Sequence, residues 1–231
     1  MHDIRYDEVN DEFVVPGRGG SILIFRGGAH GQEAPVRVLE GPNVRAGGTR
    51  VAIDSVHREI YTTGRGGIQV FPLDGNGNVP PLRVIAGPDT EGPGDSIAVD
   101  PINNLIATVG RDRAILVFNR TDNGNVKPRN VIRGPRTEID RINQMQIYPE
   151  KKLVIIAMPG LQLLMEPPRT FVGAWSLDDN GDVPPLWKLE GDGTTIKKAF
   201  AVVLNPKDRE VYVTDMRLNG VLTFFAPQLF E

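Results

Sequence analysis

The chain has 231 residues, 40% of them hydrophobic, which is enough apolar material for a sizeable core and excludes a disordered chain. Its formal net charge of -3 arises from 26 basic and 29 acidic residues, so overall charge neither attracts nor excludes a polyanion, and any basic site must be local. The lack of cysteine removes disulfides, thiol nucleophiles and cysteine metal sites, and no apolar run approaches the ~20 residues that span a bilayer.

The N-terminal Met1-His2-Asp3-Ile4-Arg5 lacks the basic and apolar regions of a signal peptide. Composition leaves the compartment undefined; a signal removed from upstream would make the chain extracytoplasmic. The first group of strand-like segments covers Asp3 to Tyr6, Glu12 to Val15, Ser21 to Phe25 and Pro35 to Leu39, each short, rich in β-branched residues and bounded by Gly or Asx turns. A second group repeats the four at Arg50 to Ile53, Glu59 to Thr62, Gly67 to Phe71 and Leu82 to Ile85. Two markers fix the period. The Asp closing the first strand recurs as Asp7, Asp54 and Asp100, spaced by 47 and 46, and the aromatic closing the third as Phe25, Phe71 and Phe118, spaced by 46 and 47.

The third group reads SIAVD, LIATV and AILVF, then NGNVKPRNVIRGPRT; the fourth reads QMQIYP, LVIIA and FVGAW, then NGDVPPLWKLEGDGT. Trp175 takes the aromatic position, 57 residues after Phe118, so this repeat holds about ten extra residues, placed in Met158 to Thr170 between its second and third strands. The last group supplies AVVLNP, EVYVT and VLTFF and lacks a clear fourth strand.

Four short strands per repeat and a period of 40–50 residues predict an all-β fold, a β-propeller of about five four-stranded blades whose last blade lacks its outer strand. The repeats fall at approximately 2–48, 49–95, 96–142, 143–199 and 200–231, within one expected domain, 1–231. No segment with a 3.6-residue period supports a helical solenoid. Units of the form IAVDPINN followed by VF and NGNVPPLRVIAGPDT resemble the NHL-type and related propeller repeats of bacterial proteins over essentially the whole chain. The resemblance implies a propeller fold, and single-stranded RNA binding on a basic face as one of the functions it can carry.

Packing between blades is expected of Phe25, Phe71, Phe118, Trp175 and Phe224, and Asx-turn formation of the recurring Asp. The DGNGN, TDNGN and DDNGD loops are expected to be hairpin turns rather than calcium loops, because they lack the spacing and closing Glu of an EF-hand. No catalytic motif occurs, the three histidines fall at unrelated repeat positions, and no metal or cofactor is expected.

The loops between second and third strands carry Arg18, Arg65, Arg111 and Arg217 at near-equivalent positions, and connections on the same face add Arg50 and Arg141. These arginines are candidate ligands for an anionic molecule or an acidic protein surface. The opposite face is expected to carry acidic residues including Asp7, Glu12 and Glu59. In the fourth repeat the insertion replaces the arginine with apolar residues, Leu164 and Met165 among them, a candidate lid or partner patch. The leading expectation is therefore a non-enzymatic scaffold that engages a protein or anionic ligand. A metal-assisted, lactonase-like hydrolase or lyase is the enzymatic alternative, and single-stranded RNA binding the third, lowered by the lack of aromatics on the arginine loops. The missing outer strand leaves an edge at Val221 to Phe225 open to self-association, or marks the chain as part of a six- or seven-bladed parent.

Overall fold

The computed structural model describes residues 3–44, 50–64, 66–161 and 167–231. Its contacts group into two compact units, Met1–Arg111 with Phe118–Arg129, and Asp112–Val117 with Asn130–Glu231.

The first unit begins with two complete four-stranded blades. The first holds β1 (Arg5–Asp7), β2 (Glu12–Pro16), β3 (Ile22–Arg26) and β4 (Arg37–Leu39); the second holds β5 (Val51–Asp54), β6 (Glu59–Gly64), β7 (Gly67–Pro72) and β8 (Arg83–Ile85). Strands pair antiparallel in chain order, as short connections dictate. Consecutive residues of β6 are buried, so the sheet is covered on both faces. Val14, Ile24, Leu39, Ile60 and Phe71 form its core, each fully buried. The third blade contains β9 (Ile97–Asp100), β10 (Leu105–Val109), β11 (Ile115–Asn119) and β12 (Asn130–Ile132). Its β9·β10 hairpin belongs to the first unit and the paired stretch of β11 with β12 to the second.

The second unit continues with β13 (Gln144–Tyr148), β14 (Leu153–Met158), β15 (Phe171–Ser176) and β16 (Trp187–Leu189), then β17 (Ala199–Asn205), β18 (Glu210–Asp215) and β19 (Gly220–Phe225). The last sheet has three strands, as the sequence predicts, and a helical turn at Pro227–Phe230 follows it. Phe230 meets the Tyr148 ring at 5.4 Å and Leu229 is buried beside Val211 and Val213. Trp175 is fully buried, and a Cβ on Gly173 would stand 2.8 Å from its ring, so the small residue makes room for the large one.

The Asp that ends the first strand of each of the first three blades does what turn chemistry asks of it. Asp100 accepts the N–H groups of Ile102 and Asn103 at 3.0 and 2.8 Å, Asp54 that of His57 at 2.8 Å and Asp7 that of Val9 at 3.1 Å. Asp7 and Glu59, two of the acidic residues expected on the opposite face, are buried.

The Asn-Gly loops also differ from expectation. They are latches onto the preceding blade as well as local turns. Val38 N–H donates to Asn76 Oδ1 (3.1 Å), Gly77 N–H to the Val38 carbonyl (2.7 Å), Glu40 N–H to the Gly77 carbonyl (3.1 Å), and Asn43 N–H to Asn78 Oδ1 (2.9 Å). Asn123, Gly124 and Asn125 repeat these four bonds on β8, and Asn180, Gly181 and Asp182 repeat them on β12. Each latch forms a one-residue parallel bridge, Leu39 with Gly77, Ile85 with Gly124 and Ile132 with Gly181. Gly41, with φ 127°, shows why glycine precedes the proline: a Cβ there would lie 2.7 Å from Asn78.

Candidate functional site

A cleft of about 640 Å³ opens in the second unit, lined by the Asp112-Arg113 loop before β11, the connection from Arg133 to Asp140, and Arg169 at the end of the insertion. The Arg169 Nη2 lies 3.1 Å from both oxygens of Asp140, and its Nη1 lies 3.7 Å from Glu138. On the other side Arg113 approaches Asp140 at 3.7 Å. Lys188 on β16 extends the network to Glu138 at 3.0 Å and Glu190 at 2.7 Å. Burial alone would lower the Lys188 amine, and the two glutamates outweigh it and hold its pKa above the ordinary value. Nε of Arg169 is buried without a hydrogen-bond partner among the described residues.

Local sequence sets this geometry. Gly160 has φ 74°, and a Cβ on it would stand 2.6 Å from the Arg169 carbonyl, so glycine lets the two ends of the insertion close on each other. Thr170 Oγ1 donates to the Met158 carbonyl at 2.9 Å and accepts the Ala199 N–H at 2.9 Å, pinning the segment that carries Arg169 to two strands. Asp112 and Arg113 are both left-handed, with φ 54° and 65°. The first blade has Gly19 and Gly20 at the matching positions, with φ 79° and 92°. The third blade therefore forces two side chains onto a backbone for which glycine is the unstrained choice.

The sequence-derived candidates fall in different places. Arg65, Leu164 and Met165 lie outside the described residues. Arg18 opens a short 3-10 turn, Arg18–Gly20, in the first unit. Arg111 is exposed, its Nε 2.9 Å from where a Cβ on Gly92 would sit, and its N–H donates to the Glu91 carbonyl at 3.1 Å. Arg50 is only 5% exposed and adds a positive field at Asp3, whose pKa burial nevertheless raises. In the second unit Arg141 is half-buried, and Arg217 is exposed on the loop before β19. That loop is held by Asp215, which accepts the N–H groups of Lys197, Lys198, Arg217 and Leu218 at 2.7–2.9 Å. Neither Arg141 nor Arg217 lines the cleft. The arginines that do, Arg113, Arg133 and Arg169, escape a search for repeat-equivalent positions because two sit where the repeat is broken. The change from GRGG to GRDR is the sequence signal for the first of them.

Further exposed apolar surface lies along the last blade, where Val221 and Phe225 on β19 are 65% and 67% exposed and Met216 is 60% exposed. Among the described residues no group of three or more His, Cys, Asp or Glu gathers as a metal site, and no helix is long and apolar enough to cross a membrane.

No family model and no curated protein matches the chain. Among solved structures it is similar to a chain of the mitotic checkpoint complex, with TM-score 0.65 and 14% identity over 97% of this chain and 62% of that one. It is also similar to the β-propeller domain of Myceliophteria_thermophila Cps50 (Swd1), with TM-score 0.66 and 12% identity over 99% of this chain and 66% of that one. The chain thus spans less than two thirds of either. Likeness at this identity carries the fold alone: the protein is an all-β β-propeller of five blades, the last three-stranded.

Proposed function

We propose that the protein is a non-enzymatic scaffold that binds a partner protein through the cleft of the second unit and the insertion beside it. The observation that carries the reading is the pair Asp112 and Arg113, held left-handed at the cleft where the first blade uses two glycines. Strain of this kind is retained where the side chains do something that glycine cannot. The cleft presents three arginines and three carboxylates, and Arg113 and Arg169 already face Asp140. A small anion would have to compete with those carboxylates, whereas a protein surface of mixed charge pairs with both signs. One of the similar structures is part of a complex, which supports protein partners for this architecture. The NHL-type character of the repeat is proposed with it, on the IAVDPINN and NGNVPPL motifs.

The test is affinity capture with the full chain and with an Asp112→Gly/Arg113→Gly variant, followed by quantitative mass spectrometry. A folded variant should lose a defined partner that the native chain retains. An identical set of captured proteins for the two chains would remove the cleft from the reading.

A further inference from the structure

The fourth strand of the fourth blade carries the same seat that receives an Asn-Gly latch on the first three blades, and here the seat is open. Pairing of Val172 with Leu189 and Gly173 with Lys188 reproduces the register of Ile68 with Ile85 and Gln69 with Val84. It therefore aims the Lys188 N–H and carbonyl and the Glu190 N–H outward, as on β8. The turn that follows is also preserved: Thr194 Oγ1 donates to the Gly191 carbonyl at 2.7 Å, as Thr90 does to Gly87 at 2.8 Å and Thr137 to Gly134 at 2.7 Å. Gly193 stands where Asn43, Asp89 and Arg136 offer their N–H to the latch.

Among the described residues nothing fills this seat. No backbone bond crosses the outer edge at Lys188 or Glu190, and no acceptor meets the Gly193 N–H. A Cβ on Gly191 or Gly193 would meet nothing within 4 Å, while one on Gly41, Gly87 or Gly134 would run into Asn78, Asn125 or Asp182 of the latch. Leu39, Ile85 and Ile132 beneath the three latches are fully buried, and Leu189 is only partly so.

We propose that the outer edge of β16 is a docking site for an extended Asx-Gly-Asx segment of a partner protein. Three filled copies of the seat define the ligand: a first Asn whose side-chain oxygen accepts the Lys188 N–H, a left-handed glycine that exchanges two backbone bonds with Lys188 and Glu190, and a second Asn or Asp that accepts the Gly193 N–H. The chain's own Asx-Gly-Asx loops are each engaged on their own seats. The remaining equivalent loop, His30-Gly31-Gln32, has a left-handed glycine at φ 62° but no amide at its first position, so a second copy cannot reproduce the set. The Lys188 side chain reaches Glu138 of the cleft, but the seat is made of backbone groups and none of its bonds involves Asp112 or Arg113, so variants at those two residues test the cleft separately.

The experiment uses the full chain and a synthetic peptide of residues 74–80, Asp-Gly-Asn-Gly-Asn-Val-Pro, followed by amide NMR. The peptide should shift the amides of Lys188, Glu190 and Gly193. Peptides with alanine for both asparagines, or with N-methylglycine for the central glycine, should bind at least tenfold more weakly. To keep a weak peptide from hiding a competent seat, the same seven residues are appended after Glu231 through a flexible linker, which raises their local concentration. Exchange of the Lys188 and Glu190 amides should then slow at least tenfold, and should not slow with the alanine version. The proposal is overturned if neither format affects β16, if the altered peptides act as well as the native one, or if those amides respond to protein concentration alone, which would assign the edge to a second copy.

Discussion

The Arg120 Nη1 lies 2.9 Å from Glu59 Oε2, tying the end of β11 to the start of β6 across 61 residues. Glu59 also takes both guanidinium nitrogens of Arg83 at 2.8 Å and the hydroxyl of Tyr61. Glu59 is 6% exposed and Tyr61 fully buried. Two arginines depend on one buried carboxylate, so Glu59→Ala should cost about 3–5 kcal/mol by leaving them uncompensated. Glu12 pairs with Arg37 at the matching position of the first blade, at 2.7 and 2.6 Å, but without counterparts of Tyr61 and Arg120. Glu12→Ala should therefore cost less. Urea denaturation of the two variants gives the comparison directly, and equal losses would contradict the assignment.

Acid should unfold the protein through the same groups. Burial would raise the Glu59 carboxyl, but its bonds from Arg83, Tyr61 and Arg120 outweigh that and hold it below the ordinary 4.5. Burial likewise acts against Asp215, and the backbone N–H groups of Lys198, Leu218, Lys197 and Arg217 overcome it to hold the carboxyl below 3.8. A carboxyl with a depressed folded pKa adds stability that is complete above its unfolded value and is lost as pH falls through the folded one. Stability should hold steady from neutrality down to about pH 5, then fall below 4.5, and Asp215→Asn should flatten the lower part of that fall. Thermal unfolding from pH 7 to pH 2.5 reads both effects.

Gly134 and Gly191 occupy the same turn position in successive blades, with φ 141° and 92°, but only Gly134 lies under a latch residue, Asp182. Alanine is strained at both backbones, by about 1–2 kcal/mol. Gly134→Ala must in addition displace Asp182, which accepts the Arg136 N–H at 2.7 Å, and should cost about 1 kcal/mol more than Gly191→Ala. Denaturant midpoints for the two single variants test the difference; a Gly191→Ala loss as large as that of Gly134→Ala would mean that the β16 seat is filled.

Strand positions and blade number are legible in the sequence because they rest on local patterns: β-branched runs, Gly and Asx turns, and an aromatic that recurs at 46 and 47 residues through the first three repeats. The latches are not, because Asn-Gly signals a local turn just as strongly whether or not its amides reach back to a strand 38 to 49 residues away. Nor does a charge count separate Glu59 from the solvated acids around it. Its burial depends on Arg83 and Arg120 folding over it, although the repeated Glu12 with Arg37 and Glu59 with Arg83, 25 and 24 residues apart, are a trace of that pairing. The arginine positions equivalent by repetition do not gather at the cleft, since the cleft is built from departures from the repeat, Asp112, Arg113 and Arg169.

Those departures lead to a prediction in which stability and binding move in opposite directions. Asp112 and Arg113 hold φ 54° and 65°, values for which the first blade supplies Gly19 and Gly20. Each non-glycine residue in this region carries roughly 1–2 kcal/mol of strain, and replacement by glycine returns part of it after the unfolded chain's gain in freedom is subtracted. Arg113 contributes little to set against that, since its contact with Asp140 is long, at 3.7 Å, and its side chain is 55% exposed. The Asp112→Gly/Arg113→Gly variant should thus unfold at a denaturant midpoint equal to or above that of the native chain, by up to about 1 kcal/mol. The same variant should lose the captured partner, while Arg113→Lys, which keeps the charge and the backbone strain but not the planar donor fork, should bind at an intermediate level. A variant that is both less stable and unable to bind would show that the two residues serve the fold rather than a partner.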